Sequence, residues 1–268
     1  MVGGISISGI RKEFHTPDGD TVHALNGVDV QICPGDFICL IGPSGCGKST
    51  LLRLLAGLDT PTQGEIRLDG EIITGPGYER GLVFQDPTLF PWLSIQDNIA
   101  FGLKARGIYK KEKEEIGRFV KLVGLEGFEK AYPHQLSGGM CQRAALARAL
   151  IGHPKVLLLD EPFGALDAFT RMNMQDELLR IKADRKMTMI MVTHDVDEAV
   201  YLANRIVVMS PRPARIEEIV SVDLGFPRDR NNPEFIRLRS EILKVLHFAG
   251  NEPEVALSVK ETGPQEVL

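Results

Sequence analysis

No run of apolar residues in this 268-residue chain approaches the roughly 18 that a membrane-spanning helix needs. Its apolar runs, such as Val156–Leu159, are strand-sized. The start, Met-Val-Gly-Gly, has neither a basic region nor an apolar core, so no export signal is expected and any link to a membrane would be peripheral. Charge of one sign is also scarce. With 31 Lys and Arg against 36 Asp and Glu, the net charge of −5 argues against a general nucleic-acid binder, which carries a basic surface. Cysteines number only four, Cys33, Cys39, Cys46 and Cys141, and none has the paired spacing of a metal site. Cys39 and Cys46 fall in or beside an apolar strand and a tight glycine turn, where a disulfide would be awkward, so reduced thiols are expected. Internal repeats and long low-complexity segments are absent.

What remains is ordinary globular composition, 43% apolar and 25% charged, on a chain long enough to bury a core. Residues 5–12, 21–32 and 64–73 are β-rich and broken by Gly, Asp and Pro, as in an antiparallel sheet. Asp36–Ile41 is an apolar run ending in a glycine-rich turn, and Lys48–Ala56 carries Leu51, Leu52 and Leu55 at helical spacing before Gly57. Residues 90–152 read as mostly helical, with helices expected at Gln96–Arg106, Lys110–Val123 and Met140–Ile151. Strands at Val156–Leu159, Thr188–Val192 and Ile206–Met209 then alternate with helices at Ala168–Arg185 and Val196–Ala203, which implies a mainly parallel sheet with helical cover. A last helix is capped by Asn232 and begun by Pro233, with Phe235, Leu238, Ile242 and Leu246 in one stripe. From Asn251 onward a loose tail is expected.

Gly42-Pro43-Ser44-Gly45-Cys46-Gly47-Lys48-Ser49, followed by Thr50, fits the phosphate-loop pattern G-x-x-x-x-G-K-[ST]. Glycines let several N–H groups turn inward on one anion, and the helix starting near Lys48 adds the positive end of its dipole. Lys48 neutralises β- and γ-phosphate charge, and the Ser49 hydroxyl is a candidate Mg²⁺ ligand. Chance would give such a match in about one chain of this kind in a hundred. The apolar strand Val156–Leu159 then ends in Asp160-Glu161. Asp160 is placed to hold Mg²⁺ or its water, and Glu161 to polarise the water that attacks the γ-phosphate. Alkylation of Cys46, inside the loop, is expected to block ATP binding.

Beyond the loop, Leu136-Ser137-Gly138-Gly139-Met140 followed by Gln142-Arg143 resembles the signature segment of the ABC (ATP-binding cassette) ATPases. Gln85 looks like their Q-loop glutamine, Ala165-Leu166-Asp167 like their D-loop, and His194, in Thr193-His194-Asp195, like their switch histidine. These elements occur in the family's order over roughly residues 5–215. The resemblance implies an α/β P-loop fold with a RecA-like parallel-sheet core, an N-terminal antiparallel β subdomain and an inserted helical subdomain. It implies one cassette over residues 1–230, its helical subdomain at about 90–152, and a C-terminal helix and tail at 231–268. It also implies ATP hydrolysis in a head-to-tail homodimer, each ATP held between one copy's phosphate loop and the other's Ser137, Gly138 and Gly139, with Asp167 nearby. Gln85 would sense Mg²⁺ and the γ-phosphate, and His194 would contact the γ-phosphate in the transition state. Phe14 is the candidate for stacking on adenine, with His15 and Val22 as competitors.

The likeness extends to one group of the family. Phe90-Pro91-Trp92-Leu93, Pro162–Asp167 and Met209-Ser210-Pro211-Arg212-Pro213 are similar to the ATPases of nitrate, sulfonate and taurine importers. That implies a peripheral subunit on the cytoplasmic face of the membrane, working on a separate permease and, through it, with a solute-binding protein. In such importers the region around Phe90 and Trp92 helps to receive a helix of the permease. Relatives that act on nucleic acid or ribosomes carry two cassettes or large insertions, which this sequence lacks, and a P-loop kinase would have no use for the segment at 136–140.

Overall fold

The computed structural model describes residues 3–249. In chain order these form β1 (Ile5–His15), β2 (Thr21–Ile32), β3 (Phe37–Ile41), α1 (Lys48–Ala56), β4 (Gln63–Leu68), β5 (Glu71–Ile72) and β6 (Arg80–Val83). A helical stretch follows: α2 (Ile95–Ala105), α3 (Tyr109–Leu122), a short 3-10 turn at Pro133–Gln135 and α4 (Gly138–Leu150). The remainder is β7 (Val156–Asp160), α5 (Ala168–Arg185), β8 (Thr188–Val192), α6 (Val196–Leu202), β9 (Arg205–Met209), β10 (Ile216–Ser221) and α7 (Pro233–Ala249).

The strands form two sheets, a four-stranded antiparallel one in the order β2-β1-β4-β5 and a six-stranded one in the order β10-β9-β3-β8-β7-β6. In the second sheet β9, β3, β8, β7 and β6 run parallel, and β10 joins the edge antiparallel to β9. Its side-chain alternation sorts two cores. Phe37, Cys39, Ile41, Leu157, Leu159, Met189 and Met191 point into the core shared with α2–α7. Ile38, Leu40, Val156, Leu158, Ile190 and Val192 point the other way, onto α1 and the antiparallel sheet. Strands buried on both faces have no solvent side, which is why β3, β7 and β8 read as continuous apolar runs.

This is the α/β architecture expected of the sequence, with two strands added that local pattern did not show. β6 has only four residues and begins Arg-Gly, and its pairing to β7 is remote in sequence. β10 reads Ile-Glu-Glu-Ile-Val-Ser, an edge strand whose charges discourage pairing with another chain. Asn232 caps α7 as expected, its Oδ1 accepting the Glu234 N–H at 2.8 Å. The tail expected from Asn251 lies outside the described residues. Among the described residues no helix is long and apolar enough to cross a membrane.

Candidate active site

The parallel strands all end on one rim, and the rim carries the chemistry. β3 runs into the glycine loop at Gly42, and the ends of β6, β7 and β8 deliver Gln85, Asp160 with Glu161, and His194. Together the loop, Gln85, Glu161 and His194 line a cavity of about 480 Å³, with Ser44, Lys48, Ser49 and Thr50 on its loop side and Arg212 as a further wall.

The loop is shaped by glycine where a side chain has no room. Gly47 has φ of 122°, and a Cβ there would meet Leu25 Cδ2 at 2.9 Å. α1 therefore starts from a glycine with no side-chain cap, leaving first-turn N–H donors for an anion. Lys48 is buried and its Nζ donates to the carbonyls of Gly42 and Pro43, both at 2.9 Å, which holds the cation under the loop.

Opposite the loop, the Ser49 hydroxyl donates to Asp160 Oδ1 at 3.0 Å. Burial pushes the Asp160 carboxyl above its usual range; the Ser49 hydrogen bond opposes this, and the neighbouring Glu161 charge adds to it. Glu161 sits in left-handed backbone, φ 45°, a strained conformation for a residue with a Cβ and one concentrated at functional turns. Its Oε2 accepts from Gln85 Nε2 at 3.2 Å and lies 3.4 Å from His194 Nδ1. Three strand ends thus converge on one carboxylate.

His194 is presented outward, its side chain 73% exposed, by a braced turn. The Thr193 hydroxyl donates to Glu198 Oε2 at 2.8 Å, Gln175 Nε2 donates to Glu198 Oε1 at 3.3 Å, and Arg230 secures Gln175 Oε1 at 2.7 Å. Asp195 caps α6 through the N–H groups of Asp197 and Glu198.

Other candidate residues lie away from this cavity. Ser137 caps α4, accepting the Met140 N–H at 3.3 Å, and Gly139 packs so closely on the Ala165–Leu166 turn that a Cβ would stand 3.0 Å from Leu166 Cδ2. Asp167 caps α5 and is held below the usual carboxylate range by hydrogen bonds from Thr170. Gly138 and Gly139 therefore pack against the turn that leads into Asp167, and neither they nor Ser137 and Asp167 line the cavity. Pro43 contributes its carbonyl rather than its ring to the loop. Phe14 does not line the cavity: on β1 it pairs with Val22, half exposed, with Lys12 Nζ 4.8 Å over its ring. His15 bonds Thr21 at 3.1 Å and does not line it either. Cys46 lies within the loop's own packing. Its side chain is only 1% exposed, beneath the loop and 3.8 Å from Lys48 Nζ, so an alkylating reagent reaches it only if the loop opens.

A glycine loop with a buried lysine, a serine–aspartate pair and a second carboxylate directly after that aspartate define a P-loop nucleoside triphosphatase. The comparisons narrow that class. The ABC transporter family model matches residues 25–164. An ABC transporter ATP-binding protein of Methanocaldococcus jannaschii is 54% identical over 243 residues, 90% of this chain and 91% of that one. An aliphatic sulfonates import ATP-binding protein of Bacillus cereus is 50% identical over 246 residues, 92% and 97% of the two chains, and its Bacillus subtilis counterpart is 47% identical over 234 residues, 87% and 91%. Among solved structures, the dimeric post-hydrolysis state of an ATP-binding cassette bound to ADP and Pi matches with a TM-score of 0.74 and 29% identity, covering 83% of this chain and all of that one. The chain belongs to the ABC transporter family, and it is an ATP-binding, ATP-hydrolysing enzyme.

Proposed function

We propose that this protein is the ATPase subunit of an importer of small solutes of the aliphatic sulfonate, nitrate and taurine kind. The observation that carries this reading is the near-end-to-end 50% identity to the Bacillus sulfonate-import subunits. On this reading residues 1–230 are the cassette, with its helical subdomain at about 90–152, and 231–268 are an appended segment. The protein works at the cytoplasmic face, bound to a membrane permease that receives solute from a separate binding protein.

In the proposed mechanism the loop from Gly42 to Thr50 wraps the phosphates of ATP and Lys48 neutralises their charge. Glu161 accepts a proton from the attacking water, held in place by Gln85 and the turn of His194. Mg²⁺ fits the donor set: Ser49 and Asp160 offer oxygens already within hydrogen-bond distance, with the Gln85 amide on the same rim, and a hard cation prefers oxygen ligands. When bound it would neutralise phosphate charge. Ser137, Gly138, Gly139 and Asp167, which do not line their own chain's cavity, would close the site of a second, head-to-tail copy. The dimeric arrangement of the solved cassette supports this.

The permease surface is proposed around Trp92, 71% exposed, with the Phe90 ring 5.5 Å from it and the Phe101 ring 4.5 Å from Phe90, centroid to centroid. The backbone beneath is satisfied from within: the buried Asn98 amide donates to the carbonyls of Phe90, Leu93 and Ser94, and Arg148 donates to those of Pro87 and Thr88. Rigid aromatics on an internally bonded loop suit a partner helix. An affinity pull-down from native membranes is expected to recover a polytopic permease; recovery of ribosomal or DNA-repair proteins instead would overturn the transport role while leaving the ATPase intact.

A further inference from the structure

The turn joining β9 to β10 lies along the phosphate loop and touches it at three points. At its start, a Cβ on Gly42 would meet the Met209 carbonyl at 2.6 Å. At its middle, Arg212 Nε and Nη2 donate to the Gly45 carbonyl at 3.0 and 2.5 Å. At its end, a Cβ on Gly47 would stand 3.8 Å from Ala214 Cβ. The turn is itself fixed. Ser210 N–H donates to the Arg215 carbonyl at 3.0 Å, and Ala214 is bridged to β2 by hydrogen bonds of 3.0 and 2.9 Å with Ala24 and Asn26. Strand order puts this turn on the β9 side of the loop, whereas Gln85, Glu161 and His194 all approach from the β8 side.

We propose that Arg212 is a positioning residue for the nucleotide, fixing the apex of the phosphate loop through the Gly45 carbonyl and adding a second cation to the cavity wall. A trans peptide plane points its N–H opposite to its C=O. Holding the Gly45 carbonyl toward Arg212 therefore turns the Cys46 N–H the opposite way, where it donates to the Pro43 carbonyl at 3.3 Å and closes the loop on itself. A guanidinium has five N–H donors, of which Nε and one on Nη2 are engaged here, so three remain on a group that lines the cavity. The inference rests on the reading of this cavity as the ATP site.

The test is steady-state ATP hydrolysis and calorimetric ATP binding by the full chain, its Arg212→Met variant and its Arg212→Lys variant, with melting points taken without nucleotide. Arg212→Met keeps the length of the side chain and loses its donors and charge. Its KM and Kd for ATP are expected to rise about tenfold, the size of one charge-assisted contact, while kcat falls no more than about twofold. Arg212→Lys restores the charge with a single compact donor group, so its KM is expected to rise only about threefold. The gap between parent and Arg212→Met should narrow as salt is raised, which a packing role would not produce. An Arg212→Met KM within twofold of the parent, or a loss confined to kcat, overturns the proposal. Should Arg212→Met melt far below the parent, Arg212→Lys decides, and an unchanged KM there overturns it. A parent chain that binds no ATP when Lys48 is intact would sink the site assignment itself, a result distinguishable from either.

Discussion

Two helices of this protein start from glycine-rich turns, and they are finished differently. α1 begins after Gly47 with no side-chain cap, whereas α4 begins after Ser137, whose hydroxyl accepts the Met140 N–H. Both turns read alike in sequence, as small residues ahead of an apolar helix. In the fold one leaves its first-turn donors for an outside anion and the other satisfies one of them from within. The difference separates a start left wholly to a ligand from one that its own serine satisfies in part. Any service α4 gives to nucleotide on a second copy must then come from donors beyond the one its own serine engages.

The largest expected effect divides chemistry from binding at the open start. Glu161→Gln keeps the shape of the side chain and removes the base, so turnover should fall by roughly 10²- to 10³-fold while ATP binding is kept. Rapid turnover by this variant would remove Glu161 from the role given to it. Next is Lys48→Ala, which takes the cation from beneath the loop. ATP affinity measured by calorimetry should drop on the order of a hundredfold, as loss of a well-placed charged contact of about 3 kcal/mol implies. Retained affinity would break the contrast, because the open start would not be where phosphate binds.

At the closed start the effects are smaller. Ser137→Ala should cost about 1 kcal/mol in denaturant unfolding, the ordinary value of a serine cap. ATP binding to a single copy should be unaltered, and turnover should fall more than the stability loss explains if the segment also serves a partner. Turnover equal to the parent would leave Ser137 as a cap alone. The smallest effect is in pH dependence. Burial raises the Glu198 carboxyl above its usual range, against the Thr193 hydrogen bond and with the charge of Asp195. The native state therefore holds this proton more tightly than the unfolded chain. The associated stability is fully present below the unfolded value and is lost as pH rises through the folded one. Glu198→Gln should accordingly be more favourable relative to the parent near neutral pH than near pH ~4, where an unfolded glutamate titrates; a pH-independent difference in unfolding free energy would show that the raised value has no weight.

Most of the rim was legible in the sequence because its residues are local to strand ends. Gly42–Thr50, Asp160, Glu161 and His194 each follow an apolar run, and the run announces the strand. Arg212 was visible only as part of a likeness, since its partner Gly45 lies 167 residues away and no periodicity connects them. Phe14 is picked out in the sequence by its order relative to the loop alone; its half-exposed position on a β1–β2 hairpin, opposite Val22, is set by strand pairing that sequence order does not display. β10 was missed because an edge strand with Glu217 and Glu218 looks like a loop until β9 is beside it.

Arg228 is buried behind the switch turn with its guanidinium donating to the carbonyls of Val200, Tyr201 and Ala203, the exposed end of α6 in any fragment that stops short of it. Burial lowers it to about 10, still far above neutral, so it remains a cation there. Synthesis runs from the N-terminal side to the C-terminal side, so the seven-residue helix behind His194 waits for a clasp 25 to 28 residues further along. The phosphate loop and both carboxylates can be in place before that moment. His194 is thus among the last parts of the rim to set, and on the proposed mechanism a nascent cassette gains its ATP grip before its trigger.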